Sequence, residues 1–569
     1  MSRRYGSFVL ALAALLPGAA YSQEADLVLR NGAILSMDPS APRASAVAIR
    51  GERIVAIGDD SEVARHVGTA TRQLDLQGRT VIPGLIDTHI HAIRGGQTYA
   101  FETYWFDAPS LADALGRLER DAASRPTSDW VAVVGSWHPQ QFQERRPPTV
   151  ADLDRAVPNH PAYVQYLYDY ALLNTRGIAA LGLDNPQPPS LAGIIVERDA
   201  HGRATGKLLG GVGPFNALFA RLSHTADRQA GLLAFLRAMN ARGLTGFIDP
   251  SAGPPEAYEP LFALRDRGQL PVRAGYRVSA MRAGGEADWF RGVMAFRPPR
   301  HDDGEIAFLG LGENLVTAMN DAVRMGPGFD PPADARQELV RVARFAAERR
   351  IPLEIHAYTD DAASAILDAF EIVGQDHDLR PLRWSIAHLN TGSRRTLERM
   401  ARLGLAYTVQ MGPYFEGAAI REANAAQVSD ISPPVRIALD LGVPVAGGTD
   451  STRIGVAGVW QAIEYHVRGV AIGGSAERRA DMLLSREEAL AMYTRQAAWL
   501  AFDETDRGQL AVGRLADLAV LDQPYLTMPV DRIHTVRSVL TLLGGKPVHD
   551  TGALPVAAGA PARQLGAGD

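Results

Sequence analysis

The sequence predicts an α/β protein built on a (β/α)8, TIM-like barrel. Three stretches share one design, an apolar, β-branched run that ends in a polar residue: "IPLEIHAYTDD" with His356, "LRWSIAHLNTGS" with His388 and "GVPVAGGTDSTR" with Asp450. Helical-looking segments precede the first two, and strand–helix alternation of this kind is typical of parallel βα units. Polar residues at the C-terminal ends of barrel strands indicate chemistry, because that face of the barrel carries the active site.

The spacing of these three residues assigns them to particular strands. His356 and His388 are 32 residues apart, the length of one βα unit, and His388 and Asp450 are 62 residues apart, the length of two. If Asp450 closes the eighth strand, the two histidines close the fifth and the sixth. We therefore expect side chains from separate strands to meet at one end of the barrel.

The stretch "VIPGLIDTHIHAIRGG" (81–96) places His89 and His91 at the end of an apolar run. Residues i and i+2 of an extended strand share a face, so both imidazoles should point to one place, with Asp87 on the same side. Imidazole is the commonest protein metal ligand, and two ligands alone hold a divalent ion poorly. The pair therefore predicts a metal site completed further along the chain. The alternative is a half-exposed strand end with histidines by chance.

This combination of HxH, two spaced histidines and an aspartate resembles the amidohydrolase superfamily of metal-dependent hydrolases. Both flanks are similar as well, in "ADLVLRNGAILSMDPSAPRASAVAIRGERIVAIG" (25–58), "MYTRQAAWLAF" (492–502) and "RGQLAVGRLADLAVLD" (507–522). The stretches "LDRAVPNHPAYVQYLYDYALLN" (153–174) and "HAYTDDAA" (356–363) resemble the branch called amidohydrolase family 3. The resemblance covers nearly the whole chain after the first 22 residues.

The resemblance implies a small composite β-sandwich, formed beside the barrel by N- and C-terminal strands. Short apolar runs separated by turns in 25–80 and 507–550 agree with this, since neither piece buries much alone. An insertion is expected because 222 residues separate His91 from Glu313, where three βα units need only about 100. The expected organisation is a signal peptide (1–22), a sandwich (23–84 and 505–555), a barrel (85–504) with an insertion at about 97–220, and a disordered tail (556–569).

The fourth strand departs from the common family pattern. Many members bridge two metal ions there with a carboxylated lysine, but the two lysines of this chain, Lys207 and Lys546, lie elsewhere. Glu313 closes the apolar run "EIAFLGLGENLV", 43 residues before His356, and a carboxylate also offers two oxygens. We predict Glu313 as the bridge. A surface glutamate beside a single-metal site is the alternative.

Composition and the N-terminus limit the location and the partners. Arg3 and Arg4 precede an apolar run and a small-residue site, which predicts a cleavable signal peptide and a bacterial periplasmic or secreted location. The export route, general or twin-arginine, stays open. The net charge is −6 without a basic block, so we expect no nucleic-acid partner and no membrane contact in the mature form. The absence of cysteine excludes disulfides and thiolate ligands. A homo-oligomer stays open.

These residues predict a hydrolase that activates water on one or two divalent metal ions, zinc before manganese or iron. A bound ion lowers the pKa of water from 15.7 to about 7, and Asp450 is predicted to be the catalytic base that moves the proton to the leaving nitrogen. The predicted metal ligands are His89, His91, Glu313, His356, His388 and Asp450.

Three further residues are predicted to contact a small-molecule substrate: Trp137, His138 and Gln410. An exposed loop position for His138 and a strand-7 position for Gln410 are equally good interpretations. The resemblance implies hydrolysis of a non-peptide C–N bond in an amide, an N-acyl compound or a cyclic amide. An esterase, lactonase or phosphoesterase on the same metals is the first alternative, and a binding protein with a decayed site is the second.

Overall fold

The computed structural model describes residues 24–185, 187–296, 304–453 and 458–557. The predicted signal peptide (1–22) and nearly all of the predicted tail (556–569) lie outside these ranges. The described chain is a mixed α/β structure. None of its helices is both long enough and apolar enough to span a lipid bilayer.

The strands of the described chain are short. In chain order they are β1 (Leu27–Arg30), β2 (Ala33–Leu35), β3 (Arg43–Ala44), β4 (Ala46–Arg50), β5 (Arg53–Gly58), β6 (Arg72–Asp75), β7 (Thr80–Pro83), β8 (Leu85–Asp87), β9 (Val131–Val134), β10 (Ala162–Tyr166), β11 (Tyr170–Leu173), β12 (Ile195–Arg198), β13 (Ala204–Leu209), β14 (Leu244–Asp249), β15 (Arg273–Val278), β16 (Ile306–Leu311), β17 (Glu354–Ala357), β18 (Ser385–His388), β19 (Ala406–Val409), β20 (Val445–Gly447), β21 (Leu518–Leu521), β22 (Ser538–Leu543) and β23 (Lys546–Asp550).

The α-helices connect these strands. In chain order they are α1 (Asp60–Val63), α2 (Ala92–Gly96), α3 (Leu111–Ala123), α4 (Val150–Ala156), α5 (Thr175–Ala180), α6 (Val212–Leu222), α7 (Arg228–Asn240), α8 (Glu259–Asp266), α9 (Glu286–Phe296), α10 (Ala333–Glu348), α11 (Asp360–Gly374), α12 (Arg394–Leu403), α13 (Gly412–Ala423), α14 (Ala426–Ser429), α15 (Val435–Asp440), α16 (Val459–Arg468), α17 (Arg486–Met492) and α18 (Arg495–Leu500).

Eight parallel strands in two four-stranded sheets form the centre of the fold. The sheets have the orders β8-β14-β15-β16 and β17-β18-β19-β20, so the strands follow one another in chain order. A parallel bridge joins Leu311 to Leu353 between the two sheets. At the other edges, the Thr88 amide donates a hydrogen bond to the Gly447 carbonyl, at 3.0 Å. This order puts His356 on the fifth strand, His388 on the sixth and Asp450 just after the eighth, as the spacing predicts.

Seven of these eight central strands are buried along their whole length instead of on alternate faces; β16 is the exception. All residues of β14, β15, β17, β18, β19 and β20 are buried. Continuous burial is typical of parallel sheets covered by helices. Apolar residues of the helices complete the largest core cluster, for example Leu339 and Phe345 of α10 and Ile366 and Phe370 of α11. The polar residues at the strand ends therefore stand on a rigid, packed base.

The N- and C-terminal segments meet in a six-stranded sheet of order β23-β22-β21-β7-β2-β3, in which β21 pairs antiparallel with β7. A second sheet, of order β5-β4-β1-β6, comes from the N-terminal segment alone. One apolar cluster contains Leu29 and Val47 of the second sheet together with Leu518 and Val520 of the first. The two ends of the chain therefore share one core.

A five-stranded sheet of order β12-β13-β11-β10-β9 lies between β8 and β14 in chain order, where the insertion was predicted. Tyr163 belongs to one apolar cluster, and its neighbours Ala162 and Val164 belong to another, so the two faces of β10 are buried in different cores. A buried ion pair joins the segment before this sheet to the loop after Asp450, with Arg453 Nη1 3.0 Å from Glu102 Oε2.

Gly310 and Gly312 allow close backbone packing just before Glu313. A Cβ added to Gly310 would lie 1.9 Å from the Pro352 carbonyl oxygen, and one added to Gly312 would lie 1.9 Å from the Pro250 carbonyl oxygen. The Glu313 amide donates to that same Pro250 oxygen, at 3.1 Å. Only residues without a side chain allow the backbone to approach its neighbours so closely.

We expect Gly312→Ala to lower the free energy of unfolding by about 1–3 kcal/mol, because the new methyl group forces the Pro250 carbonyl to move. The matched control is Gly292→Ala in α9, where an added Cβ meets no atom within 4 Å. That change should leave stability unaltered or raise it by about 0.5–1 kcal/mol. Urea unfolding measures both variants, and equal stabilities would contradict this account of the turn.

Candidate active site

The six predicted metal ligands come together at the carboxyl ends of the central strands. Five of them line one cavity of about 500 Å³: His91, Glu313, His356, His388 and Asp450. His89 lies fully buried against them. Polar side chains from both four-stranded sheets thus face one space.

Glu313 lies at the centre of the four imidazoles. Its Oε2 atom is 3.4 Å from His89 Nε2, 3.6 Å from His356 Nδ1 and 3.5 Å from His388 Nε2. Its Oε1 atom is 3.4 Å from His91 Nε2. One carboxylate therefore spans the space between the HxH pair and the two later histidines.

Asp450 approaches the HxH pair from the last strand. Its Oδ1 atom is 3.2 Å from His91 Nε2 and 3.9 Å from His89 Nε2, and its amide donates to the His89 carbonyl, at 2.9 Å. Two sets of three residues each offer ligand atoms within 4.8 Å of one another, namely His89, His91 and Asp450, and His89, Glu313 and His388. Nitrogen and carboxylate oxygen donors at this spacing suit a divalent metal ion.

His89 and His91 lie just after strand β8 and not within it, which differs from the extended strand that the sequence predicts for them. Strand β8 ends at Asp87, so the alternation of faces does not continue through His89 and His91. The Asp87 carboxylate turns instead to Thr449, accepting from its amide at 3.0 Å and its hydroxyl at 2.6 Å. Burial raises the pKa of Asp87 to about 7 in spite of these hydrogen bonds. Asp87 thus joins the first strand end to the eighth.

Glu354 contacts the His89 ring at Nδ1, and no sequence pattern indicates this role. His89 Nδ1 lies 2.9 Å from Glu354 Oε1, while Glu354 Oε2 accepts from the hydroxyls of Ser385 at 3.0 Å and Thr408 at 2.8 Å. Burial would raise the pKa of Glu354, but the charge of Arg277 and the hydrogen bond to His89 lower it to about 2. An ionised Glu354 accepts a hydrogen bond from Nδ1–H of His89. The lone pair of the ring is then on Nε2, where it can bind a metal ion.

Asp321 has the same relation to His356. His356 Nε2 lies 3.4 Å from Asp321 Oδ1 and 3.0 Å from the Ala322 carbonyl oxygen, so Nδ1 is the atom that faces Glu313. The amides of Tyr358 and Thr359 each donate to the Asp321 carboxylate at 2.9 Å. Both carboxylates behind the imidazoles fix the ring orientation, as the outer partners of metal-bound histidines do.

Two of the site residues occupy left-handed backbone conformations. His388 has φ 72° and Asp450 has φ 55°. Such conformations cost roughly 1–3 kcal/mol for residues other than glycine and concentrate at functional sites. The His388 amide donates to Gln410 Oε1, at 2.6 Å, and the His388 carbonyl accepts from the Tyr407 hydroxyl, at 2.9 Å. These contacts hold the imidazole where an unstrained strand would not place it.

The carboxylates of the site stay ionised at neutral pH. Burial alone would raise the pKa of Glu313, but the charge of His89 and the close approach of the His356, His388 and His89 rings hold it well below its ordinary value. Burial likewise opposes ionisation of Asp450, and the hydrogen bond from His91 with the charge of His388 lowers its pKa. A buried site with two ionised carboxylates favours a cation.

The three predicted substrate contacts lie outside the lining of this cavity in the described structure. Gln410 is buried, and its oxygen accepts from the His388 amide. Trp137 is fully buried, and its Nε1 donates to the Gln165 carbonyl at 2.8 Å. His138 accepts from the Gln140 amide at 3.0 Å, and burial lowers the pKa of its ring to about 4. Substrate contact by these residues stays a prediction.

Imidazoles and carboxylates that meet at the ends of parallel, helix-covered strands are typical of metal-dependent hydrolases with an α/β fold. This chain belongs to the amidohydrolase family, whose model matches residues 72–549. The family assignment confirms, at a general level, the prediction of a metal-dependent hydrolase acting on C–N bonds.

Known proteins are similar to this chain over nearly its full length. The N-substituted formamide deformylase of Arthrobacter pascens is 26% identical over 92% of this chain and 98% of its own. The structure of an uncharacterised metal-dependent hydrolase from Pyrococcus horikoshii has a TM-score of 0.63, with 20% identity over 89% of this chain and 99% of its own. Atrazine chlorohydrolase from Arthrobacter aurescens, complexed with zinc, has a TM-score of 0.51 with 16% identity over 92% of this chain and 95% of its own.

We expect Glu354→Gln to weaken the binding of divalent metal by about 10- to 100-fold, because His89 loses the acceptor that orients its ring. Titration with zinc against a competing chelator measures the change, and circular dichroism checks that the variant is folded. The control is Glu371→Gln on α11, which removes a more exposed carboxylate paired with Arg399. Identical zinc affinity in the Glu354 variant and the control would contradict a positioning role for Glu354.

Proposed function

We propose that this chain hydrolyses the C–N bond of a small amide, N-acyl compound or cyclic amide, with one or two divalent metal ions bound at the described site. The observation that carries the proposal is the convergence of four imidazoles on the Glu313 carboxylate, within 3.4–3.6 Å. The formamide deformylase from Arthrobacter pascens supports the type of bond.

The same proposal includes the architecture around the site. The two parallel four-stranded sheets would close into one (β/α)8 barrel (85–504), supported by the hydrogen bond between Thr88 and Gly447 and the bridge between Leu311 and Leu353. The remaining N- and C-terminal strands (23–84 and 505–555) would form the composite β-sandwich, supported by their common apolar cluster. The five-stranded sheet would be the insertion in the barrel.

The residues fit a metal ion by their donor set and their burial. His89 Nε2 is buried, and among the described residues it makes no well-formed hydrogen bond, as expected of an atom kept for a metal. His89, His91 and Asp450 would hold one ion, His356 and His388 a second, and Glu313 would bridge them. Zinc is the first candidate because imidazole and carboxylate ligands suit it and because the Arthrobacter aurescens enzyme contains it.

The chemistry follows from what the chain places beside the metal. A bound divalent ion supplies Lewis acidity, which lowers the pKa of water to about 7 and polarises a carbonyl group. Asp450 accepts a proton from the attacking water, whose oxygen bonds to the acyl carbon. As the C–N bond breaks, Asp450 returns that proton to the nitrogen, which leaves as an amine. The Asp450 amide, which donates to the His89 carbonyl at 2.9 Å, holds the residue in place.

We also propose export to the periplasm or the medium. The support is the sequence alone, with Arg3 and Arg4 ahead of an apolar run and small residues at the cleavage spacing. The partner is a small-molecule substrate, and neither nucleic acid nor, in the mature form, a membrane is part of the proposal.

A substrate panel on the purified, metal-loaded protein tests the function. N-formyl and N-acetyl amines, cyclic amides, esters, lactones and phosphoesters are compared by kcat/KM, and we expect turnover of at least one C–N substrate class. Asp450→Asn should lower kcat at least about 100-fold, since the general base is lost. Hydrolysis of C–O substrates without any C–N substrate would replace the proposal by the esterase, lactonase or phosphoesterase alternative.

We expect elemental analysis to give two metal ions per chain and Glu313→Ala to lower that number, because the bridging oxygens are removed. His356→Ala should lose metal and activity while the remaining fold persists, since the residue lies at a strand end. Exposed Glu119→Ala on α3 is the control and should keep the wild-type metal content. Two ions retained by the Glu313 variant would contradict a bridge, and unchanged turnover in the His356 variant would mean that the site is misplaced.

A further inference from the structure

A second cavity, of about 280 Å³, has walls rich in arginine. Its lining includes Arg495 and Trp499 of α18, together with Glu504, Arg507 and Arg514 of the segment that follows this helix. Three guanidinium groups thus line a space whose described wall contains one carboxylate. The proposed chemistry uses none of these residues.

This cavity lies at the amino ends of the central strands, whereas the candidate metal site lies at their carboxyl ends. The guanidinium carbon of Arg383, just before β18, is 4.6 Å from the centre of the Trp499 ring. His388 of the metal site is the last residue of β18. At about 3.3 Å per residue, the five steps from Arg383 to His388 span about 16 Å. A small molecule in this cavity therefore does not touch the candidate metal ligands.

The carboxylates of this segment are already paired with arginines. Glu504 accepts from two nitrogens of Arg383, at 2.6 and 2.9 Å, and this hydrogen bonding lowers the pKa of Glu504. Asp503 Oδ2 lies 2.5 Å from Nε of the buried Arg507. The negative charges of Asp503 and Glu504 are therefore offset by Arg507 and Arg383. Neither carboxylate is left for the other two arginines of the wall.

Arg495 is a half-buried cation without an ion pair among the residues that the structure describes. Its Nε atom is enclosed by protein and has no hydrogen-bond partner there, while its two terminal nitrogens are not enclosed in this way. Partial burial of an unpaired charge is unfavourable, because the charge loses water without gaining a partner. Since Arg495 lines the cavity, a counter-ion can reach its terminal nitrogens from that side.

Arg514 is held in position by carbonyl groups instead of a carboxylate. Its Nη1 atom donates to the carbonyl oxygens of Glu504 and Arg507. The Asp38 carboxylate, whose pKa is lowered in part by the charge of Arg514, lies beyond ion-pair distance. The Arg514 carbonyl in turn accepts from the Ile54 amide of β5, at 2.9 Å. Arg514 therefore presents a fixed, unpaired guanidinium to the cavity, in a chain whose net charge is −6.

We propose that Arg495 and Arg514, with Arg507 beside them, bind a phosphate group in this cavity. Guanidinium groups form charge-assisted, paired hydrogen bonds with phosphate oxygens, and the negative charge of phosphate relieves the repulsion among the arginines. The volume of about 280 Å³ is at the lower limit of small-molecule sites, so inorganic phosphate or the phosphate end of a small metabolite fits best. The anion would join α18 to the segment that reaches the terminal sheets. This inference does not depend on the proposed function.

Calorimetric titration of the purified, metal-loaded protein with inorganic phosphate tests the site, with chloride at equal ionic strength as the comparison. Phosphate should bind more tightly than chloride. Arg495→Gln should weaken phosphate binding by about 10- to 100-fold, because charge-assisted hydrogen bonds are lost, and Arg495→Lys should retain part of the affinity. Exposed Arg120→Gln on α3 is the charge control and should keep the wild-type affinity. Phosphate held by the metal ions alone is retained by the Arg495 variant, so equal affinities in that variant and the wild type would overturn the site.

Thermal unfolding gives an independent readout, because a ligand that binds only the folded state raises the Tm. At 100 times its Kd, phosphate should raise the Tm of the wild-type protein by about 2 °C, and this rise should be absent in Arg495→Gln. Glucose 6-phosphate in place of phosphate distinguishes the source of the group, since tighter binding than that of phosphate indicates a phosphorylated metabolite and weaker binding indicates the free anion. The same rise in Tm in both proteins, or the same rise with chloride, would contradict a phosphate site at Arg495.

Discussion

The contact of the Glu313 carboxylate with four imidazoles is the constraint on which the site depends. Its two oxygens lie 3.4–3.6 Å from nitrogens of His89, His91, His356 and His388. A carboxylate buried in this way is stable only if it is compensated by positive charge. Protonated imidazoles or metal ions can supply that charge. The surrounding sheets therefore keep the Glu313 carboxylate and the four imidazoles close to one another.

The elements that bring the six ligand candidates together were predictable from the sequence, because βα units have a regular length. Apolar runs that end in His356, His388 and Asp450 repeat at this spacing, and the observed order of β17 to β20 agrees with it. The resemblance of the flanks predicted the family, which the match over residues 72–549 confirms. Glu313 was predicted from its position, and the structure brings it to the four histidines.

The partners behind the ligands could not be predicted, since their roles come from contacts and not from a pattern. In the sequence, Glu354 is one polar residue within an apolar run. Its hydrogen bond with His89 forms only because β17 and the segment after β8 meet in the fold. Trp137 was predicted to contact substrate; its ring packs in the core of the insertion, beside Phe142, and the contact stays a prediction. The hydrogen bonds of Asp87 to Thr449 likewise depend on the eighth strand, which the local sequence around Asp87 does not indicate.

The hydrogen bonds from Thr449 to Asp87 join residues that are 362 positions apart. During translation the HxH segment leaves the ribosome long before the segment that supplies its aspartate. At roughly 5–20 residues per second, the wait is about 20–70 seconds. A nascent chain halted within that interval has its first two imidazoles but lacks the carboxylate from the last strand. The six candidate ligands can therefore meet only after the last of the central strands has been made.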